Sequence, residues 1–103
     1  MKPTIPISDI VPLVQWIQAY HIFRVRFDRS LHQTGLSPAG LHRQRLGPEV
    51  APGVWEGRGY RVYVGPQSVS FEVYENATAD QALVAFDRYQ DELFALKPAA
   101  SQP

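Results

Sequence analysis

The chain has no cysteine. Disulfides, thiolate chemistry and the commonest zinc cages are therefore excluded, and the composition fits a reducing compartment. Net charge is missing too: ten Lys and Arg residues balance ten Asp and Glu, so no overall field steers the chain toward nucleic acid or a membrane surface. No apolar run approaches the ~20 residues of a membrane span. Met1-Lys2-Pro3-Thr4-Ile5-Pro6 lacks the apolar stretch and small-residue cleavage site of a secretory signal. A soluble, cytoplasmic protein with no membrane partner is expected.

Signatures of catalysis are equally scarce. No nucleophile elbow, P-loop or dinucleotide fingerprint occurs, and Gly57-Arg58-Gly59 lacks the spacing and following helix of a phosphate loop. His21, His32 and His42 stand eleven and ten residues apart, without a His-x-x-x-His pair, so no metal site is expected. Asp28 and His32 sit four apart, where a pairing on one helix face is local support. Asp91-Glu92 are neighbours in sequence and point to different helix faces. No cofactor is expected, and an enzyme would need residues assembled only by the fold.

What is present suits one globular domain. A chain of 103 residues buries about two-thirds of the surface it exposes when unfolded, enough for one core without a deep pocket beside it. Two Trp, five Tyr and five Phe are generous for this length. Some anchor the core, and the surplus suits a binding surface. Charge is unevenly spread. Arg24, Arg26, Arg29, Arg43 and Arg45 stand against Asp28 alone in the middle of the chain. Glu72, Glu75, Asp80, Asp87, Asp91 and Glu92 stand against Arg88 alone toward the end.

The strongest pattern runs over residues 54–96. Residues 54–64 place Tyr60, Val62 and Val64 on one side, and residues 69–74 place Val69, Phe71 and Val73 on one side, the alternation of two strands. Gly65-Pro66-Gln67-Ser68 reads as the turn between them. Thr78 and Gln81 make a capping box for a helix whose face is Ala82, Phe86, Tyr89, Leu93 and Leu96. Lys97-Pro98 should end it.

Upstream, Ser8 is read as the cap of a helix starting at Asp9, with Ile10, Leu13, Val14, Ile17 and Tyr20 as its buried stripe. Over residues 21–34, Phe23, Val25 and Phe27 alternate like a strand. At helical spacing Trp16, Tyr20, Phe23, Phe27 and Leu31 line up instead, with Gly35 as C-cap. Nothing punctuates the chain between Tyr20 and Phe27, which favours the helix. Ser37-Pro38 opens another helix that stops at Gly47-Pro48. The expected fold is a small single α+β domain: an N-terminal helix or helical pair, a two- to three-stranded antiparallel sheet (the third strand at residues 22–28), and a C-terminal amphipathic helix. Residues 1–7 and 98–103 should be loose ends, and 47–53 the loop between the halves.

Three functions follow in order. The first is a non-catalytic interaction or regulatory protein that covers the surface of a larger protein partner. The sheet's second face would show Arg61, Tyr63, Ser70, Glu72 and Tyr74, and the interface candidates are Trp55, Arg61, Tyr63 and Tyr74. The second is a DNA-binding regulator, with a homodimer as its working form. Residues 30–47 resemble a helix-turn-helix, in which Gly35 makes the turn and His42, Arg43 and Arg45 meet bases or phosphates. Leu31, Gln44 and Gly40 depart from that motif. The third is a small enzyme of unrecognised type.

Overall fold

Pro12 sets where the first long helix begins. Its ring removes an N–H donor and disfavours helical backbone at the residue before it, so the expected start at Asp9 under a Ser8 cap is corrected. In the computed structural model, which describes residues 3–94, the chain makes one 3-10 turn at Ile7–Asp9. It buries Ile7 and Val11 and launches α1 (Leu13–Thr34) from an extended Pro12. Residues 21–34 are helical, as the unpunctuated aromatic spacing predicts, and the third strand at 22–28 is not formed. Gly35 closes the helix at φ 70°, its N–H donating to the Leu31 carbonyl at 2.9 Å. Ser37 Oγ accepts the Gly40 N–H at 3.0 Å and starts α2 (Pro38–Leu46).

Among the described residues four strands form one antiparallel sheet: β1 (Thr4–Pro6), β2 (Val54–Gly57), β3 (Tyr60–Val64) and β4 (Val69–Tyr74), in spatial order β1-β4-β3-β2. Two expectations are corrected here. Residues 54–64 are not one strand, because Arg58-Gly59 folds them into a hairpin, with Gly59 at φ 88° in the left-handed region such turns require. Residues 4–6 are not a loose end, because Ile5 pairs with Val73 at the sheet edge. The turn at Gly65-Pro66-Gln67-Ser68 forms as expected, the Gly65 N–H donating to the Ser68 carbonyl at 2.8 Å. So does the capping box. The Thr78 N–H donates to Gln81 Oε1 at 2.9 Å, and the Gln81 N–H to Thr78 Oγ1 at 3.1 Å, opening α3 (Ala79–Phe94). Leu96, the stop at Lys97-Pro98 and the tail beyond them lie outside the described residues.

The helices cover the sheet face that bears Trp55, Tyr60, Val62, Phe71 and Val73, all buried. Phe86 and Tyr89 of α3 sit on Phe71 at ring separations of 4.9 and 5.2 Å. α1 packs over α3 through Trp16 on Phe86 and Phe23 on Phe86, Tyr89 and Phe94. The result is an aromatic core in which each side chain contributes about 1.5–3 kcal/mol of burial.

One glycine in this core has no room to grow. Gly57 pairs with Tyr60 across the first hairpin, and a Cβ on it would lie 2.1 Å from the Tyr60 ring. That ring is tethered, since Tyr60 Oη donates to Glu92 Oε1 at 2.8 Å. Gly57→Ala is expected to cost about 2–3 kcal/mol, read as a lower urea midpoint. A variant unfolding with the parent would show that the ring can step aside.

Candidate interaction surface

The four interface candidates divide three to one. Trp55 is buried, its Nε1–H donating to the Gly47 carbonyl at 2.8 Å and its ring 5.3 Å from that of His42. It ties β2 to the end of α2 and is core, which corrects its assignment to a surface. Its neighbours in β2 alternate outward, and only the unforeseen hairpin turned the indole inward. Arg61, Tyr63 and Tyr74 share the other sheet face, as the alternation predicts, with Arg61 opposite Glu72 and Tyr63 opposite Ser70. This face is already knitted together. Arg61 pairs with Glu56 and donates to Tyr63 Oη, and Thr4 donates to Glu72. Tyr63 and then Glu56 hold the Arg61 guanidinium above its ordinary range.

The helix-turn-helix residues fare differently. The Gly35 turn is real, but His42 is fully buried between α2 and α3, so the expected base contact is corrected. Its Nδ1 lies 2.8 Å from the Pro38 carbonyl and its Nε2 2.7 Å from Tyr89 Oη. A carbonyl only accepts, so Nδ1 carries the proton and Nε2 accepts from the Tyr89 hydroxyl. Burial lowers the His42 pKa against the opposing pull of the Pro38 carbonyl. Burial also raises that of Tyr89, with Tyr60 adding to the effect. The pair is chemistry-bearing in type but sealed from solvent, and it serves the core. Arg43 Nε donates to Glu49 at 2.9 Å, and Glu49 also accepts the Gly53 N–H at 3.2 Å. Arg43 and then Gly53 hold the Glu49 carboxyl below the usual carboxylate range. Arg45, half-buried, faces a small depression beside Glu56, Tyr60 and Glu92.

Among the described residues no three His, Asp or Glu side chains gather to hold a metal ion. An open depression of about 430 Å³ beside α3 is lined by Arg58, Tyr74, Asn76, Asp80, Val84 and Arg88, among others. Its Arg88 is committed to the Arg58 carbonyl at 2.9 Å.

The surface that sequence reasoning missed lies on α1. Two apolar stripes run along this helix, and the aromatic one (Trp16, Phe23, Phe27) faces the core. The other, expected to be buried, faces out: Leu13 and Val14 are each 67% exposed, Ile17 56% and Tyr20 41%. Val25 extends it at 45%, and Ile22 is 51% exposed. Successive helical residues turn by about 100°, which sets Leu13, Ile17, His21, Val14 and Val25 on one outward arc that the Arg24–Asp28 pair shares, with Tyr20 at its edge and Ile22 half a turn from Leu13. From Ile10 to Phe23 no residue carries a formal charge, counting His21 as neutral. The first ion pair, Arg24 with Asp28 at 3.4 Å, comes only near the middle of the helix.

Why this stripe lost the core is a matter of area. Aromatic side chains bury ~150–250 Å² each, and α3 already offered Phe86, Tyr89 and Phe94 to stack on. One helix cannot bury two faces against one neighbour. The signal was legible as a period, but not as a surface. No helix among the described residues is long and apolar enough to cross a membrane. No protein-family model matches the chain, no curated protein matches its sequence, and no solved structure matches its fold.

Proposed function

We propose that this chain is a non-catalytic interaction module that works through the outward face of α1. The observation that carries this reading is the row of large apolar side chains on that face. Leu13, Val14, Ile17, Tyr20 and Val25 together leave on the order of 500 Å² of apolar surface there, in the upper part of the range an ordinary monomer leaves uncovered. Such a patch is costly to keep in water unless something covers it. The knitted sheet face with Arg61, Tyr63 and Tyr74 is the weaker surface, since its polar groups already satisfy one another. Against the DNA reading stand the burial of His42 and the commitment of Arg43 to Glu49.

A photo-crosslinking amino acid at Ile17, introduced in cells, tests the proposal against the same probe at exposed Ala51, which lines a depression with Arg61 and Tyr63 on the sheet face away from the helices. A discrete protein adduct from position 17 and none from 51 is the expected result. Equal labelling at both positions, or none at either, would leave the α1 face without a role.

A further inference from the structure

We propose that the occupant of the α1 face is the α1 face of a second copy, the two helices lying antiparallel about a two-fold axis at the level of Ala19. This rests on the interaction reading above and names its partner.

Three features of the helix fit a two-fold contact. The outward row is balanced about its midpoint: Leu13 and Ile17 stand on one side of it, His21 and Val25 on the other. Reversal about Ala19 sets Leu13 opposite Val25 and Ile17 opposite His21, so each contact is made twice, as an isologous interface requires. Charge selects the direction. In a parallel pair Arg24 would meet Arg24 and Arg29 would meet Arg29. The antiparallel pair separates the two Arg24 residues by ten helical positions, about 15 Å. Area fits as well. The apolar side chains of this face, on the order of 500 Å², with Gln18, His21 and Arg24 interleaved among them, approach the roughly 800 Å² per partner of a stable interface.

The absence of cysteine makes the register directly readable. Leu13 and Val25 lie twelve helical positions apart, about 18 Å, too far for a disulfide within one chain. Both are exposed, so replacing them leaves the core alone. Under mild oxidation the full chain carrying Leu13→Cys with Val25→Cys is expected to form a disulfide-linked dimer, while Leu13→Cys alone is not. By sedimentation the parent chain should weigh double its 11.6 kDa. Ile17→Asp should weaken that dimer at least roughly 30-fold, the scale of a buried hot-spot residue, with unchanged thermal unfolding of the monomer.

Ready cross-linking of Leu13→Cys alone would show a parallel pair and overturn the register. A monomer at sub-millimolar concentration would overturn self-pairing. If position 17 then cross-links to a different protein, or the chain binds neutral phosphatidylcholine vesicles unless Ile17→Asp is present, the α1 face keeps its role with another occupant. A monomer that does neither would remove both the pairing and the interaction reading.

Discussion

His42→Ala is expected to remove about 3–5 kcal/mol of stability. A fully buried ring is replaced by a cavity, and the buried Tyr89 hydroxyl loses the partner it donates to at 2.7 Å, a further penalty of about 1–3 kcal/mol included in that range. For a domain whose whole stability is on the order of 5–15 kcal/mol, this leaves little. Urea unfolding followed by circular dichroism measures it, and a loss below about 1 kcal/mol would mean that the pair is not structural. The same residue gives the protein a pH dependence of known sign. Burial depresses the folded pKa of His42, so the unfolded chain takes up the proton first. Its contribution is complete above the unfolded value of about 6.5 and is lost as pH falls below it, by at most about 1.4 kcal/mol per pH unit. That window lies above the one in which Glu49 matters. The Glu49 carboxyl is held low, so its contribution fades only as pH drops through the carboxylate range. His42→Gln, which keeps an amide to answer either Pro38 or Tyr89, should retain more stability than His42→Ala while losing the slope between pH 6.5 and 5. If that slope survives in His42→Gln, another group carries it.

Phe86→Ala is expected to cost a comparable 3–5 kcal/mol. Its ring meets four others: Phe71 of the sheet at 4.9 Å, Trp16 and Phe23 of α1 at 5.7 Å each, and Tyr89 at 6.2 Å. It links the sheet and α3 to two separate turns of α1, so its loss should loosen the attachment of α1 as well as lower the global midpoint. Hydrogen exchange would show the difference: amides of α1 should lose protection by more than those of β3 and β4. Uniform loss across all elements would mean that α1 is held mainly by other contacts.

The elements with chemical punctuation were readable from the chain alone. Thr78 with Gln81, Ser37 before Pro38, and Gly35 after the aromatic row each satisfy a helix end in a way few other residues can, and each is found where its spacing places it. The β3–β4 turn belongs with them. Two strands escaped for opposite reasons. β1 has only three residues, one of them Pro6, and it is held in place by β4 rather than by its own pattern. The apolar residues of β2 and β3 are parted only by Glu56-Gly57-Arg58-Gly59, and Arg58-Gly59 lacks the Asn-Gly or Asp-Gly pair that marks a two-residue hairpin turn. The candidate surface was visible but misplaced. Ile10, Leu13, Val14, Ile17 and Tyr20 declared a face by their period, and a period cannot say which neighbour will cover it. Trp55 shows the converse, since an aromatic in a strand becomes core or surface according to one residue of register.

The short β1 carries a consequence for how the molecule stays discrete. It closes the flank of β4, where Val73 and Glu72 would otherwise present a bare hydrogen-bonding rim to any passing strand. Being three residues long and ending in a proline that has no N–H to give, it is itself a poor template for a further strand. These few residues are a selvedge on that flank, keeping the β4 side of the sheet from growing into a neighbour.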